Sequence, residues 1–356
     1  MCAMAILDET PAIELQDVGA GRALLVRPDG RLYISRGYSI YSSDDDGRSW
    51  SFIASAPIPP KRMPGQLLRL AARLLRFEIR ALVTLEDDTL VAANRDWVYY
   101  SVAGTRTLQR SRVDESAQPL APPFNLTVGP DGVILFGEYN SQLRHGNPVR
   151  MFASRDAGKT FEVIRCFEAG DIMHVHKLLY DPQLDHYWVF VGDLDDEVGI
   201  GILSRDLRHF DWLVRGKQQY RVCEAFDFGD RLVYATDTPF EQNAIVSLEK
   251  SSGRTEVLAE TGGSSIYGAR FGDLCVFSTT LETTSAEYCK SIDLWLSRDG
   301  DNWASVLEAE KDFWHPDLFQ FGSLILPRGI SDRETFFFSG QAVKHYDGKV
   351  FAGKLG

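Results

Sequence analysis

The sequence predicts an all-β fold. Short runs rich in Val, Ile, Phe and Tyr alternate with polar residues at a period near two, and Gly, Asp and Pro bound them. Polar turns recur along nearly the whole chain. Strands do not alternate regularly with helices, which argues against a parallel α/β sheet.

The turns set the architecture. "RPDGR" (27–31), "LEDDT" (85–89), "GPDGV" (129–133), "DPQLD" (181–185), "DFGDR" (227–231), "RFGDL" (270–274) and "GISDR" (329–333) each follow a short apolar run. Four successive intervals are about 44–52 residues, near the length of a four-stranded propeller blade. Each unit divides into four strands: "FNLTV", "VILFGEY", "VRMFAS" and "TFEVIRC" in the third, "VCEAFDF", "RLVYATD", "AIVSLE" and "TEVLAE" in the fifth. The prediction is one domain over 1–356, a seven-bladed β-propeller of antiparallel four-stranded blades, with six blades as the runner-up. "AIELQDV" (12–18) is expected to pair as an outer strand with the last blade and remove the exposed edges.

A second repeat marks the corners. Ser43-x-Asp45-x-Gly47-x-x-Trp50 returns as Ser154-x-Asp156-x-Gly158-x-x-Phe161. A shortened copy holds Ser297, Asp299, Gly300 and Trp303, and a worn one runs from Ser204 to Trp212. Asp accepts backbone N–H groups in a tight turn, Gly supplies a positive φ, and the aromatic tucks beneath.

These corners resemble the Asp-box, or BNR repeat, of the sialidase-like superfamily of propellers. "FGEYN", "HVHKLLYDP", "VGDLD", "QQYR" and "FQFGSLILP" look like bacterial BNR-repeat proteins labelled glycosyl hydrolases. The resemblance implies that the boxes sit on third-to-fourth strand turns, away from the active site, so Asp44, Asp45 and Asp46 are structural. Arg27, in "LVRPDG", lies on a hairpin turn at the wrong end of the blade for the carboxylate-clamping arginine of sialidases.

Propeller topology places the connections between blades and the second-to-third strand turns on one face. Those segments hold Arg36, Arg95, Glu138, Tyr139, Asn140, Arg144, Asp193, Asp195, Asp237 and Glu282. Entries into first strands add His174, His176, Gln219, Tyr220, Arg221, Trp314 and His315. His174 and His176, two apart on a strand, share a side. They are candidate ligands of a divalent metal or a candidate general base, although the chemistry requires no cofactor. Glu138, Asp193, Asp195 and Asp237 are candidate acid, base or nucleophile. Arg95, Arg144 and Arg221 suit an anionic group, and the aromatic residues suit sugar rings.

"PPKRMPGQLLRLAARLLRFEIRAL" (59–82) interrupts the β pattern. Arg69, Arg73, Arg76 and Arg80 form one stripe of an amphipathic helix, with Leu67, Leu70, Ala71, Leu74 and Leu75 on the remainder. This insertion, 60–80 between the first two blades, is expected to wall the channel. A self-association contact and a peripheral membrane contact through 64–80 are the alternatives.

Bulk composition narrows the partners. Of 356 residues, 44% are hydrophobic and 25% charged, and the net charge is −12, so nucleic acid is not an expected ligand. The first residues lack a basic start and no run approaches the roughly 18 apolar residues of a membrane span, so the expected location is cytoplasmic. The five widely spaced cysteines include no CxxC pair and suit reduced thiols.

The leading functional expectation is a glycoside hydrolase acting on an acidic bacterial saccharide at the channel mouth. A polysaccharide lyase using His, Tyr and Arg, with or without a metal, is the second reading. A non-catalytic glycan-binding or assembly propeller is the third.

Overall fold

The computed structural model describes residues 12–115, 117–140, 146–282 and 291–356, with Asp195 described as backbone only. Arg144 lies outside the described residues.

Antiparallel strands join in consecutive groups of four, spanning 22–55, 81–110, 127–167, 175–215, 222–260 and 264–309. A further group combines Gly322–Ile325, Phe336–Gln341 and Lys349–Leu355 with Ile13–Ala20 from the other end of the chain. The outer strand expected at 12–18 is thus observed as Ile13–Ala20, antiparallel to Lys349–Leu355 with Leu15 opposite Gly353. The innermost strands of successive groups pack side by side, and the last group returns to Arg22–Val26.

Burial explains where alternation holds and where it fails. Phe336–Gln341 is buried at every position because sheets cover both of its faces. Thr255–Glu260, an outermost strand, keeps its polar residues in water. Apolar side chains fill the space between neighbouring groups, as where Trp188 and Phe190 meet Val222 and Tyr234. Each such fully buried large side chain stabilises by about 1.5–3 kcal/mol.

The repeated corners share one hydrogen-bond pattern. Ser43 Oγ donates to Asp45 Oδ1 at 2.8 Å and accepts from Gly47 N at 2.8 Å. Asp45 also accepts from Ser49 N at 2.9 Å and Ser49 Oγ at 2.7 Å. Trp50 Nε1 donates to the Val18 carbonyl at 2.9 Å, tying the corner to the outer strand of the preceding group. Ser154, Asp156, Gly158 and Thr160 repeat the arrangement, and Ser297, Asp299 and Gly300 keep its core. All lie between third and fourth strands.

The insertion departs from the single long helix expected. Pro60–Gln66 is a 3-10 helix and the α-helix covers only Arg69–Leu74. It ends because Arg76 turns left-handed at φ 51°. The N–H groups of Arg76 and Phe77 then close back on the carbonyls of Arg73 (3.2 Å) and Ala72 (2.8 Å). Phe77 drops into the core and stacks on Tyr38, 4.6 Å between centroids. The arginine stripe is therefore divided. Arg69 pairs with Asp347 and Arg73 with Asp312, while Arg76 and Arg80 turn toward the centre of the molecule. Leu67 and Leu68 remain exposed. No described helix is long and apolar enough to cross a membrane.

Candidate functional site

The ends of neighbouring strands bring the site together. Gly192, at φ 83°, turns the chain after His186–Val191 and donates its N–H to the His174 carbonyl at 3.0 Å, which places Asp193 beside both histidines. A Cβ on Gly192 would meet the Glu197 carbonyl oxygen at 2.1 Å, so no larger residue fits that bend. Arg221 enters one strand as Asp237 leaves the adjacent one, and Asp237 N donates to the Arg221 carbonyl at 3.1 Å.

His174 Nε2 stands 2.8 Å from His176 Nε2, and the two nitrogens lie 3.0 and 3.1 Å from Asp193 Oδ1. All three side chains are buried. Arg221 Nη2 reaches Asp193 Oδ1 at 3.1 Å and Asp237 Oδ2 at 3.4 Å. Burial opposes ionisation of Asp193, but His174 and Arg221 outweigh it and hold the carboxyl well below its usual range. Burial pushes His176 down. The Cys223 thiol, 3.3 Å from Asp237 Oδ2, is pushed up by burial and by that carboxylate. Tyr139 stacks on His174 with 3.9 Å between centroids and covers the cluster.

Above this layer lies a cavity of about 390 Å³. Arg22, Arg76, Arg80, Arg95 and Arg221 line it, with Glu78, Asp237, Glu282 and Asp317. Arg22 bonds Gln341 (2.8 Å), the Tyr267 hydroxyl (3.1 Å) and Glu78 (3.4 Å). Among the described residues, Arg76 donates only to the carbonyls of Arg73 and Asp317, and Arg80 only to those of Pro122 and Pro123. Among the described residues, Arg76, Arg80 and Arg95 form no ion pair with a carboxylate. Burial, with repulsion from Arg95, pushes Arg80 down to about 9 and Arg76 down to about 10. Burial and the nearby Asp237 push Glu282 up to about 7. Burial also raises Asp237, against the pull of Arg221.

Several residues expected at the site stand elsewhere. Glu138 is fully buried in a bidentate pair with Arg150, 2.7 Å from Nη2 and 2.9 Å from Nε. It also accepts from the backbone N of Ala121 and Arg150, and does not line the cavity. Tyr220 belongs to the apolar cluster around Trp188 and Tyr234. Gln219 accepts from Thr255 Oγ1 at 3.1 Å beside a separate outer cleft. Arg36 donates to the Ala20 carbonyl at 2.9 Å and lines a neighbouring cavity by the insertion. Trp314 packs on Phe313 and Phe319. His315 is exposed at the start of the short helix Pro316–Phe319. Asn140 is buried beside His174, its carbonyl 3.1 Å from His174 Nδ1. Asp195 opens the 3-10 turn Asp195–Glu197.

Arg22, Arg76, Arg80 and Glu78 were not singled out as site residues in the sequence. Arg22 and Arg80 nonetheless sit at the entries of first strands, just as Arg221 does, so the same topological rule reaches them.

The ring of strand groups is a β-propeller, and comparison with solved structures supports that class. The chain is similar to the WD40 beta propeller domain of Doa1, with a TM-score of 0.55 and 10% identity over 98% of this chain and 97% of that one. It is similar to an oligogalacturonate lyase in complex with manganese (TM-score 0.59, 11% identity, 97% of this chain and 91% of that one). It also matches the extracellular domain of a B. thetaiotaomicron protein described as a hybrid two component system (TM-score 0.59, 10% identity, 97% of this chain). The chain spans 43% of the length of that last protein. No family model and no curated protein matches the chain.

Proposed function

We propose that this protein is a carbohydrate-active enzyme, a glycoside hydrolase that cleaves an anionic saccharide in the arginine-lined cavity. The reading takes the strand groups as seven blades around one axis, with the cavity at the mouth of their channel. The observation that carries it is the set of three arginines, Arg76, Arg80 and Arg95, that face the cavity without a carboxylate partner among the described residues. Guanidinium groups that face a cavity without a paired carboxylate, Arg76 and Arg80 partly buried and Arg95 exposed, favour a ligand that brings one, and their planar forks suit carboxylate, sulfate or phosphate.

Glu78, Asp237, Glu282 and Asp317 share the cavity with them, and two of these carry the chemistry of this reading. Glu282, raised to about 7, keeps its proton near neutrality and is the general acid that protonates the glycosidic oxygen as the C–O bond breaks. Asp237, beside Arg221, is the carboxylate that takes a proton from the attacking water or attacks the anomeric carbon itself. Tyr139 and Tyr267 supply rings against which a sugar can stack.

A β-eliminating lyase is the second reading. The arginines would offset a uronate carboxylate while the proton beside it is removed, and the fold is shared with an oligogalacturonate lyase. Incubation with uronate- and sulfate-bearing oligosaccharides separates the readings. New reducing ends without ultraviolet absorbance mark hydrolysis, and an unsaturated, absorbing product marks elimination. Binding without turnover in the wild type, unchanged in Glu282→Gln, would leave only a glycan-binding protein.

A further inference from the structure

We propose that His174, His176 and Asp193 form a binding site for one divalent first-row transition cation, set directly beneath the arginine-lined cavity.

The inference starts from the ring tautomers. His174 Nδ1 lies 3.1 Å from the Asn140 carbonyl oxygen, and His176 Nδ1 lies 2.9 Å from that of Val222. A carbonyl oxygen only accepts, so both Nδ1 atoms carry hydrogen. A neutral imidazole has one N–H, and both Nε2 atoms are therefore lone pairs. Those lone pairs face each other at 2.8 Å and face Asp193 Oδ1 at 3.0 and 3.1 Å. Three acceptors converge in a buried volume. Among the described residues, the one donor reaching them is Arg221 Nη2, which meets Asp193 Oδ1 at 3.1 Å and neither imidazole nitrogen, and is shared with Asp237 Oδ2 at 3.4 Å. A proton on one ring would satisfy one edge of the triangle at a time, whereas a cation at its centre satisfies all three corners. The Nδ1–H to carbonyl bonds are also the outer contacts that orient metal-binding histidines.

The triangle selects a coordination geometry. With metal–ligand bonds of about 2.1 Å, neighbouring donors stand about 3.0 Å apart at octahedral angles and about 3.4 Å apart at tetrahedral ones. The observed edges of 2.8, 3.0 and 3.1 Å match one face of an octahedron. Two imidazole nitrogens disfavour Ca²⁺ and Mg²⁺, and the carboxylate suits Mn²⁺, Fe²⁺, Co²⁺ or Ni²⁺.

An independent observation surrounds the same cluster. Among the described residues, Asn140 Oδ1 and Nδ2, Gln218 Oε1 and Asp237 Oδ1 are buried without a hydrogen-bond partner. Asn140 accepts His174 through its carbonyl, and Gln218 Nε2 donates to the Asp193 carbonyl at 3.1 Å. Polar atoms left idle at that density want water or a metal's remaining ligands. A second grouping of His176, Cys223 and Asp237 does not compete, because it would use the His176 Nδ1 that already donates to Val222. With neutral imidazoles, Asp193, Asp237 and Arg221 sum to one negative charge. A divalent cation reverses that sign and adds to the anion-attracting field above.

The test uses untagged, full-length protein stripped with chelator and checked for native circular dichroism. Calorimetric titration with Co²⁺ and with Mn²⁺ is expected to show one equivalent bound and a higher melting temperature. Pulsed electron paramagnetic resonance of the Mn²⁺ form is expected to show two coordinated imidazole nitrogens. His176→Ala and Asp193→Asn are expected to lose the equivalent, and His315→Ala to keep it. Folded wild-type protein that binds no equivalent, or Mn²⁺ showing no imidazole nitrogen, would overturn the proposal. So would an equivalent retained in folded His176→Ala. The wild-type measurements decide the question even where a variant fails to fold.

Discussion

The guanidinium of Arg80 lies over the ring of Tyr139, 5.8 Å from its centroid, and its hydrogen bonds among the described residues all run to backbone carbonyls. A buried cation held by dipoles and a π face, with Arg95 repelling it, gains when an anion arrives. Arg80→Met is expected to weaken binding of an acidic oligosaccharide about tenfold to a hundredfold, corresponding to about 1.5–3 kcal/mol for a charge-assisted hydrogen bond. Calorimetry at neutral pH checks this outcome; an affinity unchanged in folded Arg80→Met would remove Arg80 from the site.

Glu282 gives a pH signature in activity and in stability. As a general acid raised to about 7, it must be protonated, so kcat/KM is expected to fall above that pH, and Glu282→Gln to remove most turnover. The stability effect follows from the same shift. The folded state holds the Glu282 proton up to about 7, while the unfolded chain releases it near the ordinary glutamate value of 4.5. Folded protein therefore binds more protons between those values, and stability declines as pH rises through that window. Glu282→Gln is expected to raise the melting temperature at pH 8 relative to wild type, with a smaller gain at pH 4. Equal changes at both pH values would contradict the assignment.

Glu138 and Arg150 hold the fold together rather than the ligand. Removing the guanidinium leaves a carboxylate buried without its main partner, and Arg150→Ala is expected to cost about 3–5 kcal/mol in denaturant unfolding. Saccharide affinity of Glu138→Gln, measured where it remains folded, is expected to match wild type within about twofold, well under the ~1.4 kcal/mol that a tenfold change represents.

The corner glycines test the role of the repeat. Gly158 sits at φ 80°, and a Cβ there would meet Val91 Cγ2 at 2.5 Å. Gly158→Ala is expected to destabilise by about 2–4 kcal/mol, from left-handed strain and overpacking together. Ligand affinity is expected to hold, because the corner lies on a third-to-fourth strand turn, apart from the cavity.

Much of the strand layout was legible because a turn and an alternating run are local features. The closing strand at 13–20 could be read for the same reason. The grouping of His174, His176, Asp193, Arg221 and Asp237 followed from topology, which sends strand entries and second-to-third turns to one face. Pair partners were less visible. Glu138 looked available until Arg150 appeared opposite it across a hairpin, a relation that register reveals and composition does not. The insertion misled through periodicity. Arg69 to Arg80 keep helical spacing, yet the left-handed turn at Arg76 and the buried Phe77 end the helix and redirect two arginines inward. Tertiary packing overrode a pattern that was real but shorter than it looked.

The most direct measurement is calorimetric binding of a uronate-bearing oligosaccharide beside its carboxyl-reduced neutral counterpart, with wild type and with Arg80→Met/Arg95→Met. An anion-selective arginine cavity should bind the acidic sugar at least about tenfold more tightly, a difference of ~1.4 kcal/mol, and the double variant should lose that preference. Equal affinity for both sugars, or a preference that survives loss of both arginines, would contradict it.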